Sequence, residues 1–176
     1  MSATLILGGV RSGKSRLAER LARESDREVI YVATAQARDD GELHARIAAH
    51  RERRPATWRT VEAPLHLAEA LRAHDATGRC LLVDCLTLWL TNLLCADDPA
   101  LLARERVALF DVLSALRADV VLVANETGLG VVPLGELTRR FLDEAGVLHQ
   151  RLAAHCERVL LTVAGLPLAL KGSLRP

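Results

Sequence analysis

The stretch GGVRSGKS, residues 8–15, constrains this chain more than any other. Gly8, Gly13, Lys14 and Ser15 satisfy the phosphate-loop pattern G-x-x-x-x-G-K-[ST]. The spacing has a physical reason. Glycines let consecutive backbone N–H groups turn inward around a phosphate, and a helix opening at Lys14 adds the positive end of its dipole. The whole loop, with Gly9, Val10, Arg11 and Ser12 between its fixed positions, is therefore a candidate nucleotide-binding element. Lys14 is placed to reach the β- and γ-phosphates, and Ser15 to ligate Mg²⁺ through its hydroxyl. Of the 23 basic residues, only Lys14 and Lys171 are lysines. A chain that otherwise uses arginine keeps a lysine where a compact point charge is needed. The apolar run TLIL (4–7) precedes the loop as a strand, and a helix over about 14–24, with Leu17 and Leu21 on one side, follows it.

The rest of the chain alternates in the same way. EVIYVAT (28–34), CLLVDC (80–85), DVVLVAN (119–125) and RVLLTV (158–163) read as strands, and the tail GLPLALKG as an additional edge strand. Helices are expected over about 40–54, 65–74, 86–94, 100–117 and 136–156. Strands separated by helices predict an α/β, P-loop NTPase-type three-layer fold: a mainly parallel central sheet with crossovers on both faces. The 176 residues suit one nucleotide-binding catalytic domain, 1–176. Aromatics are only 3% while hydrophobic residues make up 50%, so the core is aliphatic.

Composition also excludes. A formal net charge of +1 offers no general basic field for nucleic acid. No window supplies the ~20 apolar residues of a membrane span, and MSATLILGG lacks the layout of a signal peptide. Cys80, Cys85, Cys95 and Cys156 show neither C-x-x-C nor paired-histidine spacing, so they read as small buried residues of a reduced, cytoplasmic protein.

Asp84 ends an apolar strand, where a Walker-B acid would hold Mg²⁺ directly or through water. The densest basic run is HARIAAHRERRP (44–55). On a helix, Leu43, Ile47, His50 and Arg54 share one face, and Arg51, Arg53 and Arg54 follow the histidine. Taken alone, this reads as a phosphate-clamping lid or a solvated helix face. A phosphate loop names a nucleotide and leaves the reaction open. No N-K-x-D motif reads a guanine as in a GTPase switch. A small-molecule kinase fits the size, and a slowly hydrolysing regulatory module is the rival from another class.

Six segments in order give the chain a resemblance. GGVRSGKSRLAE, YVATAQ (31–36), RIAAHRERRPATWRTVE (46–62), VDCLTLWLTNLL (83–94), VANETGLGVVP (123–133) and RRFLDEAGVLHQRLA (139–153) resemble the bifunctional adenosylcobinamide kinase/adenosylcobinamide-phosphate guanylyltransferases of cobalamin biosynthesis. The resemblance implies two steps. The γ-phosphate of ATP or GTP passes to the hydroxyl of the aminopropanol arm of the corrinoid substrate. A histidine then takes GMP from GTP and hands it to adenosylcobinamide phosphate, giving adenosylcobinamide-GDP.

By motif, the histidine is His50, with Lys14 as the other catalytic residue. The resemblance assigns nucleotide contacts to Thr34, Ala35, Gln36, Arg51, Glu52, Arg53, Arg54 and Glu62 beside the phosphate loop and Asp84, and it implies a homotrimer. Chemistry agrees for His50: a neutral imidazole is a competent nucleophile near neutral pH, and adjacent arginines stabilise the departing pyrophosphate. One departure is His149, which stands where the family usually has asparagine. His149, like His44, His66, His74 and His155, is read as a surface or packing residue, and Trp58 and Trp89 as core. Asn125 and Glu126 end a buried strand, and there substrate contact and plain turn chemistry stay equally open.

Overall fold

The computed structural model describes residues 2–35 and 55–174. Among these residues seven strands form one sheet: β1 (Ala3–Gly8), β2 (Glu28–Ala33), β3 (Arg59–Glu62), β4 (Arg79–Asp84), β5 (Asp119–Asn125), β6 (Arg158–Val163) and β7 (Leu166–Lys171). Their order is β3-β2-β4-β5-β1-β6-β7. Every pairing is parallel except β6 with β7, which is antiparallel. The described helices are α1 (Lys14–Glu24), α2 (Leu67–His74), α3 (Leu86–Leu94), α4 (Leu101–Ala115) and α5 (Glu136–His155). The predicted three-layer architecture is thus present. The helix expected over about 40–54 lies outside the described residues.

Alternation along the strands divides the core in two. On β1, Leu5 and Leu7 point to one face and Ile6 to the other. The Leu5 face carries α2, α3, α4 and α5, whose Leu67, Leu71, Trp89, Leu109, Leu113 and Leu152 form the larger cluster. The Ile6 face carries α1, through Leu17, Ala18, Leu21 and Ala22. Central strands β1, β4 and β5 are apolar on both faces because both faces are covered. Trp89 is fully buried, with its indole N–H donated to Leu65 O at 2.8 Å, and Trp58 packs at the margin of the α1-side cluster.

Two details depart from the sequence reading. Strand β3 was not expected: Arg59-Thr60-Val61-Glu62 has one apolar residue among polar ones, and among the described strands β2 alone pairs with it, Ile30 beside Arg59 through Ala33 beside Glu62. Secondly, the cysteines are all free but not all buried: Cys80 and Cys156 are, Cys85 is half-buried and Cys95 is exposed at the end of α3. Cys95 caps that helix through its backbone N–H.

The order of strands locates the site. From β1 the chain crosses through α1 to β2, two strands beyond its neighbour β5. From β5 it crosses through α5 to β6, on the opposite side of β1. The connections diverge at the C-terminal end of β1, where open parallel sheets leave a crevice for ligands.

Candidate nucleotide site

The phosphate loop leaves β1 at that crevice. Gly8 is required sterically, since a Cβ there would lie 2.5 Å from Ser12 Oγ and 2.6 Å from Thr162 O. Gly13 adopts φ 96°, a left-handed conformation that side chains resist. Ser12 N–H donates to Gly9 O at 3.2 Å and closes the turn. Lys14 opens α1 and reaches back so that its Nζ donates to Gly9 O at 3.2 Å. Among the described residues no side chain caps α1, and its first turn has no acid. Its leading amides therefore remain for an anion, reinforced by the helix dipole. The loop is also braced from behind. The β6–β7 turn has positive φ at Ala164 and Gly165, as two-residue hairpins require, and Gly165 N–H donates to Ser12 O at 2.8 Å.

Asp84 lies at the C-terminal end of β4, separated from β1 only by β5. Tyr31 holds it in place, donating its hydroxyl to Asp84 Oδ2 at 3.0 Å. Ser15 stands in the first turn of α1, and its hydroxyl is another hard oxygen. A hydroxyl and a carboxylate are donors that suit Mg²⁺, which takes one or two protein oxygens and completes its shell with phosphate and water. Next to Asp84, burial first and then the Asp84 charge push the Cys85 thiol up to about 11. It is no thiolate nucleophile at neutral pH.

Thr34 follows β2 at the same edge, as the sequence reading placed it, but its side chain is committed internally. Its hydroxyl donates to Cys85 O at 2.7 Å and accepts Cys85 N–H at 2.9 Å. Asn92 of α3 donates its amide to Thr34 O at 2.9 Å and to Pro64 O at 3.0 Å, tying the ends of β2 and β3 together. Sequence reasoning passed over Tyr31 and Asn92. The available signal was an asparagine inside the apolar helix LTLWLTNLL, since a buried amide needs partners. Ala35 follows Thr34, and Glu62 is exposed at the end of β3. The structure thus gathers residues 8–15, Thr34, Ala35, Glu62 and Asp84 along one sheet edge. Gln36, His50, Arg51, Glu52, Arg53 and Arg54 lie outside the described residues.

The strand between the loop and Asp84 is β5. Asn125 registers with Gly8, and Glu126 N–H donates to Gly8 O at 3.0 Å. After it, Leu129, Val131, Val132 and Leu134 are strongly exposed. His149 of α5 is largely buried, with Nδ1 4.0 Å from Glu126 Oε2. Burial lowers the His149 pKa below 6.5, against the opposing pull of Glu126.

Comparison with known proteins adds the following. The sequence profile of the family described as cobinamide kinase / cobinamide phosphate guanyltransferase matches residues 4–170. The bifunctional adenosylcobalamin biosynthesis protein CobP of Pseudomonas aeruginosa is 67% identical over 168 residues, covering 96% of each chain. CobU of Salmonella typhimurium, described in the same words, is 43% identical over 181 residues, covering 95% of this chain and 98% of its own. Solved structures share the fold at low identity. The flagellar accessory protein FlaH of Methanocaldococcus jannaschii has a TM-score of 0.55 at 14% identity, covering 98% of this chain and 79% of its own. The RadB recombinase has a TM-score of 0.54 at 17% identity, covering 99% and 83%.

Proposed function

The chain belongs to the cobinamide kinase / cobinamide phosphate guanyltransferase family, and from that premise we propose how its residues divide the two reactions of adenosylcobalamin biosynthesis. The carrying observation is the amide-lined turn of residues 8–15 between β1 and the uncapped start of α1. In the kinase step the triphosphate of ATP or GTP lies in this turn, with Lys14 on the β- and γ-phosphates. Ser15 and Asp84 would hold Mg²⁺, which would neutralise charge on the phosphates. The γ-phosphoryl group passes to the hydroxyl of adenosylcobinamide.

In the second step His50 attacks the α-phosphorus of GTP. The bond to the bridging oxygen breaks, pyrophosphate leaves, and GMP stays on the imidazole until a phosphate oxygen of adenosylcobinamide phosphate takes it. Arg51, Arg53 and Arg54 offset the charge of the leaving group, and Glu52 belongs to the same nucleotide-contacting run. Glu62 accepts from the guanine N1–H and amino group, while Thr34, Ala35 and Gln36 contact the nucleotide where β2 ends. Thr34 does so through its backbone or by position, since its hydroxyl is engaged by Cys85.

We read residues 1–176 as a single catalytic domain, supported by the one sheet running from Ala3 to Lys171. We place it in the cytoplasm, where its nucleotide substrates are. Among the described residues, no helix is long and apolar enough to cross a membrane. The assembly is a homotrimer, a reading supported by uncovered leucines on β7.

The test is labelling with GTP carrying the label at the α- or the γ-phosphate. Covalent label is expected from the α position alone, stable in base, labile in acid and absent in His50→Ala. Wild-type protein that stays unlabelled during turnover would sink the guanylyl-histidine. Lys14→Ala is expected to abolish cobinamide phosphorylation, and normal phosphorylation by that variant would remove the loop from the kinase step.

A further inference from the structure

Glu126 has no role in the division of labour above, yet the loop after β5 is built around its carboxylate. Gly128 N–H donates to Oε1 at 2.6 Å, and a Cβ on Gly128 would come within 3.2 Å of that oxygen. The other oxygen, Oε2, has His149 Nδ1 at 4.0 Å, beyond hydrogen-bonding distance. One oxygen is therefore anchored by the turn while the other faces His149 without a hydrogen bond to it, on a side chain that is 22% exposed. The backbone fixes where this happens. Glu126 N–H is bonded to Gly8 O, and Asn125 N–H donates to Thr87 Oγ1 at 2.7 Å, in the first turn of the helix that follows Asp84. Glu126 thus emerges between the strand carrying the phosphate loop and the strand carrying Asp84.

The other acids described at this edge are differently placed. Asp84 is engaged by Tyr31 and assigned to the metal, and Glu62 lies at the far edge strand, three strands from β5. Transfer of a phosphoryl group to an alcohol leaves a proton to be removed, and a carboxylate beside the γ-phosphate is the usual acceptor. Burial holds His149 towards its neutral form, against the pull of Glu126.

We propose that Glu126 is the proton acceptor of the kinase step. As the acceptor hydroxyl oxygen bonds to the γ-phosphorus, the bond from that phosphorus to the β,γ-bridging oxygen breaks. The hydroxyl proton moves to Glu126 Oε2, and the nucleoside diphosphate leaves with the bridging oxygen. The assignment rests on the γ-phosphate occupying the 8–15 loop.

Glu126→Gln separates base from turn, because the amide oxygen still accepts Gly128 N–H while proton affinity is lost. In the full-length protein, with ATP as donor and adenosylcobinamide as acceptor, the variant should lose about 100-fold or more in kcat. Its affinity for a non-hydrolysable ATP analogue should stay at the wild-type value, and Glu126→Asp should recover part of the turnover. Glu126→Gln turning over within about threefold of wild type, a change too small for a lost general base, would overturn the assignment. So would loss of analogue affinity together with turnover, which would make Glu126 a loop-building residue. Lys14→Ala measured alongside distinguishes the premise: if it retains kinase activity the loop reading fails, whereas an active Glu126→Gln beside an inactive Lys14→Ala removes Glu126 alone.

Discussion

Gly13 shows how a single residue carries the site. Its φ of 96° costs a residue with a Cβ about 1–2 kcal/mol, and an added Cβ would lie 3.1 Å from Gly165 Cα, a backbone atom that cannot swing aside. Gly13→Ala should therefore displace the amides of the loop more than it destabilises the fold. The expected result is a modest fall in melting temperature, about 2–8 °C, with at least about tenfold weaker binding of an ATP analogue, the equivalent of one hydrogen-bond-sized loss. Wild-type affinity in Gly13→Ala, measured by calorimetry, would show that the loop tolerates the methyl group. At this scale the sequence was most readable where a motif fixes backbone geometry, as at Gly8 and Gly13. It was least readable where a residue acts through a distant partner. Tyr31 meets Asp84 across 53 positions and Asn92 meets Thr34 across 58; an asparagine in an apolar helix signals that it needs partners, but nothing local says which. His149 shows the same limit: read as a surface or packing residue, it is largely buried beside Glu126, which only the fold brings near it.

At the scale of elements, the strands and helices that bury a face were legible because burial imposes a period of two or near four. Strand β3 has one partner and one apolar residue, so its pattern is that of a loop, and only pairing with β2 makes it a strand. Junctions between elements were equally silent, and Asp75 is a clear case. It ends α2, and its Oδ1 accepts Arg117 N–H and Ala118 N–H, both at 2.8 Å, just before β5. Burial alone would raise its pKa, but the amides of Ala118 and Arg117 and the Arg117 guanidinium outweigh it and hold the carboxyl below its ordinary value. A carboxylate with a lowered folded pKa stabilises the protein above its unfolded pKa, about 4, and that stabilisation is lost as pH falls through the folded value. Asp75→Ala should cost about 1–3 kcal/mol at pH 7 by orphaning two amides. Asp75→Asn should cost less, and its deficit relative to wild type should shrink as pH is lowered from 7 to below about 4. Urea unfolding at each pH measures this, and a deficit constant across that range would show that the charge contributes nothing.

At the scale of the whole molecule, the sheet has two unlike edges among the described residues. One is β3, short and polar with Arg59 and Glu62, as an edge that must resist pairing should be. The other is β7, whose Leu166, Leu168 and Leu170 are 72%, 57% and 56% exposed, with Val163 of β6 also open. Leu161 and Leu168 are paired, and Leu161 packs against the cluster on the α5 side, so the leucine stripe continues that face of the sheet beyond the helices that cover it. Each such leucine gains about 1.5–3 kcal/mol from full burial, and a ring of three subunits can bury the stripe through a repeated, closing contact. If the homotrimer is held this way, Leu168→Glu with Leu170→Glu should yield monomers, since charges would have to enter an apolar contact. Sedimentation velocity reads the mass directly. Unchanged affinity for an ATP analogue checks that the fold survives, because these side chains lie on the strand beyond β6 and away from the 164–165 turn that braces the phosphate loop. A double variant that keeps the wild-type mass would move the interface elsewhere on the molecule, and a monomeric wild type would remove the trimer itself.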